Sequence, residues 1–270
     1  MKKLALLVLC TTLFYACTSS KPIPIPQPAA MKLVYSDEFD GNTLDATKWL
    51  YETGKSGWGN NELQDYKSSG NVQVSNGTLK IIAKKIAPTQ AVGSYTSARL
   101  NSKKTVKYGK IEVRAKIPKH LGNGLWPAIW MLGDDISTVG WPKCGEIDIM
   151  EYVSYQPKTV FNTLHSNANN HTLGNSLGSG PISLTNAEGE FHTYGLLWTE
   201  TSIKFYIDSP TNITYSANRP ANPTNENWPF AKPHYFLLNM AVGGDWGGTN
   251  GVNDAVFPAT LEIDYVRVYQ

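Results

Sequence analysis

Three acids fall within six residues at Glu146-Ile147-Asp148-Ile149-Met150-Glu151, interleaved with apolar side chains. Paired carboxylates suit hydrolysis of a glycosidic bond, one attacking the anomeric carbon while the other delivers and later removes a proton. Clustered carboxylates repel one another, which raises at least one pKa and keeps an acid protonated near neutral pH. On a regular strand alternate residues share a face, so Glu146 and Asp148 face together and Glu151 turns away. A single bulge at or near Met150 corrects the parity: all three acids then line one surface, and Ile147 and Ile149 pack into the core. Four effective steps separate the glutamate backbones by about 13 Å, and inward lean and sheet curvature bring the carboxyls toward the roughly 5–5.5 Å of a retaining glycosidase. Asp148, between them, can hydrogen-bond one glutamate and set its orientation and proton affinity. Taken alone, the pattern also fits a solvated strand face or a calcium site, because hard cations take oxygen ligands.

The elements that must carry these acids are strands. Segments such as Thr78–Ala83, Lys110–Ile117, Glu146–Tyr152, Val160–His165, His192–Trp198, Ser202–Ile207, His234–Met240 and Leu261–Tyr269 are strand-like, many alternating polar and apolar residues, with Gly, Asn, Ser and Pro clusters between them. Amphipathic helical periods of useful length are missing. The expected fold is all-β: a jelly-roll sandwich of two antiparallel sheets, which can curve to leave an open concave cleft for a chain-like ligand. Eight Trp and fourteen Tyr in 270 residues serve either as sheet-core filling or as stacking platforms for flat ligands.

The N-terminus reads as an address. Lys2 and Lys3 precede an apolar run from Leu4 too short to span a bilayer permanently, so residues 1–17 are expected to be a signal peptide. Phe14-Tyr15-Ala16-Cys17 resembles a lipobox, which makes Cys17 the expected lipidation site and a bacterial outer membrane or cell surface the expected location; cleavage near Ala16 to a soluble secreted protein is the alternative. Residues 18–32 form a Pro-rich tether, stiff and extended, before a domain over 33–270. Cys10 leaves with the leader and Cys17 is taken by lipid, so Cys144 stands alone in the mature domain and is expected to be a buried, inert thiol. Without Lys2 and Lys3 the 24 basic residues fall to 22, equal to the 22 acids. A neutral chain without a basic stripe argues against nucleic acid as a partner, and a monomer is expected.

Several motifs carry a family resemblance. Trp141-Pro-Lys-Cys-Gly-Glu-Ile-Asp-Ile-Met-Glu151 resembles the signature of glycoside hydrolase family 16 in its laminarinase-like branch, which has the extra Met. Trp126-Pro-Ala-Ile-Trp130, Trp58-Gly-Asn-Asn-Glu62, Asn239-Met-Ala-Val-Gly-Gly-Asp-Trp246 and the closing Ile263–Gln270 segment match in order, from about Tyr35 to the end. The resemblance implies a jelly roll, an endo mode and retention, with Glu146 as nucleophile, Glu151 as general acid/base and Asp148 assisting. It implies no cofactor for the chemistry, and a structural calcium on Glu38, the Gly77 carbonyl and Asp264.

The same resemblance places Trp126, Trp130, Trp141 and Trp246 against sugar rings, where core filling is the plainer alternative. Asn60, Asn61, Glu62, Arg99 and Asn239 become candidates for sugar hydroxyls, although Arg99 can instead pair with an acid. His165 follows the catalytic strand closely enough to lie near Glu151 and tune its proton. The expected substrate is β-1,3-glucan, mixed-linkage β-1,3/1,4-glucan or both, with mixed-linkage glucan the better one. A non-catalytic glucan-binding surface protein, and a hydrolase of agar or carrageenan, are the rival readings.

Overall fold

The computed structural model describes residues 31–119 and 122–270; the expected leader, Cys17 and all but Met31 and Lys32 of the tether lie outside them. The described chain forms two sheets packed face to face. An eight-stranded sheet runs in the order Leu177–Gly178, Thr159–His165, Glu146–Glu151, Leu125–Gly133, His234–Val242, Arg99–Val106, Trp49–Glu52, with Ile182–Ser183 also on Thr159–His165. A ten-stranded sheet lies behind it, with Ala259–Tyr269 near its middle, flanked by Gly109–Lys116 and Thr78–Lys85. This is the expected jelly-roll sandwich. One pair departs from the antiparallel rule: Gln64–Tyr66 runs parallel to Tyr95–Ser97. Helical structure among the described residues is confined to single turns such as Ile136–Val139 and His171–Leu173.

The inward faces supply one core. Leu79, Ile81, Ile111, Val113, Leu196 and Val266 come from the ten-stranded sheet, and Ile129, Met131, Ile147, Ile149, Phe236 and Leu238 from the other, all buried. Alternation leaves the opposite face of the eight-stranded sheet to carry polar groups. Glycine permits two close approaches beside the catalytic strand. A Cβ at Gly133 would sit 2.0 Å from the Cys144 carbonyl oxygen, and Gly145, at φ +84°, would bring one to 2.8 Å from the Pro229 ring. The Gly133 N–H donates to the Gly145 carbonyl at 3.0 Å, which fixes the entry of the chain into Glu146.

Candidate active site

The catalytic strand is bulged as its spacing requires. Against Leu125–Gly133, Glu146 pairs with Leu132 and Asp148 with Trp130; the register then shifts, so that Met150 pairs with Ile129 and Glu151 with Ala128. Against Thr159–His165 the shift recurs between Asp148 and Glu151. Ile147, Ile149 and Met150 are buried in the core, while Glu146, Asp148 and Glu151 line one groove. The bulge turns Met150 inward beside Ile149, and this restores Glu151 to the acid face.

Each acid has its own donors. The Trp141 Nε1–H donates to Glu146 Oε2 at 2.7 Å. The Trp126 Nε1–H donates to Glu151 Oε1 at 3.1 Å, and the Thr163 hydroxyl reaches Glu151 Oε2 at 3.5 Å. Asp148, only 2% exposed, has its Oδ2 at 3.2 Å from His165 Nε2 and without a hydrogen-bond donor. Burial pushes all three carboxyls up. Glu146 rises to about 8, first by desolvation and then by repulsion from Asp148. Glu151 rises to about 7, again mainly by desolvation, with His165 opposing and Glu146 adding to the rise. Asp148, the most buried, is pushed well above the carboxylate range by desolvation and then by Glu151. The cluster therefore holds protons near neutral pH, and Asp148 is the strongest claimant.

The structure defines the surroundings of two of the predicted residues. His165 pairs in register with Glu146, not Glu151: the first residue of the catalytic strand meets the last of its partner, and Glu151 lies opposite Phe161. Its Nε2 is nearest Asp148 and lies 3.8 Å from Glu146 Oε1, and its charge is also felt at Glu151, as expected, where it lowers the pKa. Asn61, exposed, gives its amide to both carboxylate oxygens of Asp245 at 2.9 and 3.1 Å, and so ties two loops together outside the groove lining.

The remaining predicted residues converge on the groove, several with a second task. Trp126, Ala128, Trp130 and Leu132 all line it, as their even spacing requires. Trp130 donates from Nε1 to Asn239 Oδ1 at 2.7 Å, and Asn239 donates to the Tyr66 hydroxyl at 2.9 Å. Tyr66 and Gln64 both donate to Glu62 Oε2, at 3.2 and 2.5 Å, and Asn60 reaches Glu62 Oε1 at 3.3 Å. Glu62, 4% exposed and with its pKa raised by burial, is thus chiefly the anchor of a polar network under the groove wall. Arg99 pairs with Glu52 and lies between two indoles, 4.9 Å from the Trp58 ring centre and 4.7 Å from that of Trp130. Trp246 packs edge-on against Trp126 at 5.4 Å and Phe161 at 5.1 Å, along the stretch of groove that also carries Thr163 and Gly178.

Sequence reasoning missed Trp58 and Glu52, the partners of Arg99, and His171, whose ring lies 5.0 Å from that of Trp141. Trp58 stood inside a quoted motif, and its neighbouring glycines and asparagines were the available signal. The calcium donors lie apart from the groove. Glu38 is held by Arg267 at 3.0 and 2.7 Å, which lowers its pKa, and Asp264 by Arg114. Each carboxylate is thus held by a guanidinium group, which a cation at this site would have to displace.

A groove floored by paired glutamates and walled by indoles defines an enzyme that cleaves glycosidic bonds in a chain lying along a sheet. Residues 59–267 match the model of glycosyl hydrolases family 16, and the chain belongs to that family. It is 43% identical over 248 residues to a β-glucanase of Rhodothermus marinus, covering 88% of this chain and 85% of that protein. The X-ray structure of the laminarinase from Rhodothermus marinus superposes with a TM-score of 0.83 at 42% identity, covering 89% of this chain and 98% of that one. A variant of SCLam, a non-specific endo-β-1,3(4)-glucanase co-crystallised with 1,3-β-D-cellotriosyl-glucose, gives a TM-score of 0.82 at 41% identity, with coverages of 92% and 98%.

Proposed function

We infer that this chain is an endo-β-glucanase that works with retention through a glycosyl-enzyme. Hydrolysis of β-glucan rests on family membership and on the named activities of the relatives. The observation that carries the mechanism is the bulged strand, which delivers Glu146, Asp148 and Glu151 to one face with an indole N–H on each glutamate.

The roles follow from the donors and the burial. Glu146 attacks the anomeric carbon as a carboxylate. Its ionisation is favoured by the Trp141 N–H and by transfer of the cluster's most tightly held proton to Asp148, which removes the main neighbouring repulsion. Glu151, its carboxyl pushed up mainly by burial, gives its proton to the departing glycosidic oxygen as the C–O bond breaks, while Asp148 keeps the proton that would otherwise sit on Glu146. In the second half, Glu151 takes a proton from water, the water oxygen attacks the same carbon, and Glu146 leaves as a carboxylate. Trp130 and Trp141 offer ring surface for sugars along the groove, and the carboxylates carry the chemistry without a metal.

The substrate assignment is β-1,3-glucan and mixed-linkage β-1,3/1,4-glucan, the second as the better substrate. The test is a product profile of the purified domain on laminarin, mixed-linkage glucan, a β-1,4-glucan and agarose. Short oligomers from the first two alone support the assignment; products from agarose, or from none of the four, overturn it. We also propose that Cys17 is lipidated and tethers the enzyme to a bacterial outer membrane or cell surface. Labelling of cells with a radioactive fatty acid should mark the protein and fail to mark Cys17→Ser; equal labelling refutes the anchor.

A further inference from the structure

We propose that Glu146, Asp148 and His165 form a binding site for one divalent transition cation of the Zn2+ type, which shuts the enzyme by occupying its nucleophile. The three side chains can each offer one ligand atom, and those atoms lie within 4.8 Å of one another. His165 Nε2 lies 3.2 Å from Asp148 Oδ2 and 3.8 Å from Glu146 Oε1. A tetrahedral ion with bonds of about 2.1 Å holds neighbouring donors about 3.4 Å apart, so the observed spacing needs only small side-chain shifts.

The individual atoms also suit an ion. Asp148 Oδ2 is buried, lies 3.2 Å from His165 Nε2 and has no hydrogen-bond donor from the protein. Glu146 gives Oε2 to the Trp141 N–H and keeps Oε1 toward His165. On the far side of the imidazole, Nδ1 lies 3.4 Å from the Ser176 hydroxyl. That contact lets Nδ1–H donate outward while Nε2 presents its lone pair inward, the outer support typical of a metal-bound histidine. One imidazole and two carboxylates are a donor set for borderline cations rather than for calcium or magnesium, which take oxygen alone. The fourth position opens to the groove, where water completes the shell. A bound dication also cancels the repulsion among the acids of the cluster.

The proposal does not depend on the identity of the glucan, because binding is read directly. Zn2+ would be titrated calorimetrically into the purified domain, with Co2+ absorption in the visible range as a second readout of coordination geometry. Wild type should take up one ion per chain. His165→Gln should lose that binding, and Ser176→Ala, which leaves every ligand in place, should weaken it by about tenfold. Far-UV circular dichroism and unfolding midpoints of both variants establish that the fold is kept. Absence of one-to-one binding by the wild type overturns the proposal, as does unchanged affinity in folded His165→Gln.

Discussion

Replacing Glu146 by glutamine should kill the enzyme and stabilise the protein, and the second effect carries a pH signature. In the folded chain burial, and then the Asp148 charge, push Glu146 up to about 8 from 4.5, and it is less raised where Asp148 carries the proton. Below the unfolded value the carboxyl is protonated in both states and costs nothing. Between the two values the unfolded chain gains by ionising while the folded chain does not, so stability is lost as pH rises toward 8. At about 1.4 kcal/mol per unit, the rise from 4.5 to about 8 sets an upper limit of about 5 kcal/mol. Repulsion from Asp148 supplies part of that shift, which leaves roughly 2–5 kcal/mol for the burial of this one group. Glutamine has the same shape, keeps an acceptor for the Trp141 N–H and never charges. Glu146→Gln should therefore melt several degrees above wild type at pH 8, at roughly 2–4 °C per kcal/mol for a domain of this size. The gap should shrink to about 1 kcal/mol or less at pH 5, only half a unit above the unfolded value. Turnover should be lost, with oligosaccharide binding retained. Thermal denaturation at the two pH values is the assay. Equal melting temperatures at pH 8, or a variant less stable there, would refute the account of the buried nucleophile, and retained turnover would refute its role.

Three further outcomes can be checked. Because Glu151 acts in its protonated form and titrates near 7, kcat/KM should decline on the alkaline side with an apparent pKa close to that value; a profile flat to about pH 9 would remove it as the acid. Cys144→Ser should leave turnover intact and cost about 1–3 kcal/mol of stability through its newly buried hydroxyl, since the thiol is fully buried and pushed up to about 12 by desolvation; a loss of turnover without unfolding counts against an inert thiol. Arg99→Ala should raise KM with kcat little changed, because about 1–3 kcal/mol of cation–aromatic and ion-pair contact that steadies Trp58 and Trp130 disappears. Steady-state kinetics on a soluble glucan separates the two constants, and an unchanged KM would show that the rings hold without it.

What could be read from the chain was what short-range spacing controls. Alternation marked strands such as Ser202–Ile207, whose bounds agree with the structure, and the odd step from Asp148 to Glu151 demanded the bulge that the register shows. The even offset of Trp126 and Trp130 put both on the groove. The sequence offered much less where a side chain's partner lies far along the chain. His165 was placed near Glu151 because an antiparallel neighbour can slide by several residues without changing its pattern, and only the register settles which acid it meets. Arg99 is distant in sequence from Trp58 and Glu52, and Asn61 from Asp245 by 184 residues, so no local signal could reveal these pairings. In the asparagine-rich run after His165 the side chains bond the loop to itself, Asn170 accepting from Thr172 and donating to the Ser166 carbonyl, and this fixes the turn that carries His171.

The backbones of Lys32 and Gln270 exchange two hydrogen bonds, at 2.7 and 2.9 Å, where the first strand, Leu33–Asp37, lies along the last. Lys32 and Gln270 thus meet at a seam in the ten-stranded sheet, while the groove lies on the other. In a domain cut at Lys32, joining that residue to Gln270 would need only a short linker, and the closure entropy of so short a loop is small. The cut could then be moved to an exposed loop, giving circular permutants with every residue of the acid cluster in its present place. The seam also makes the domain easy to carry as cargo, because a host protein that receives it as an insertion would see its two ends as a single point of attachment.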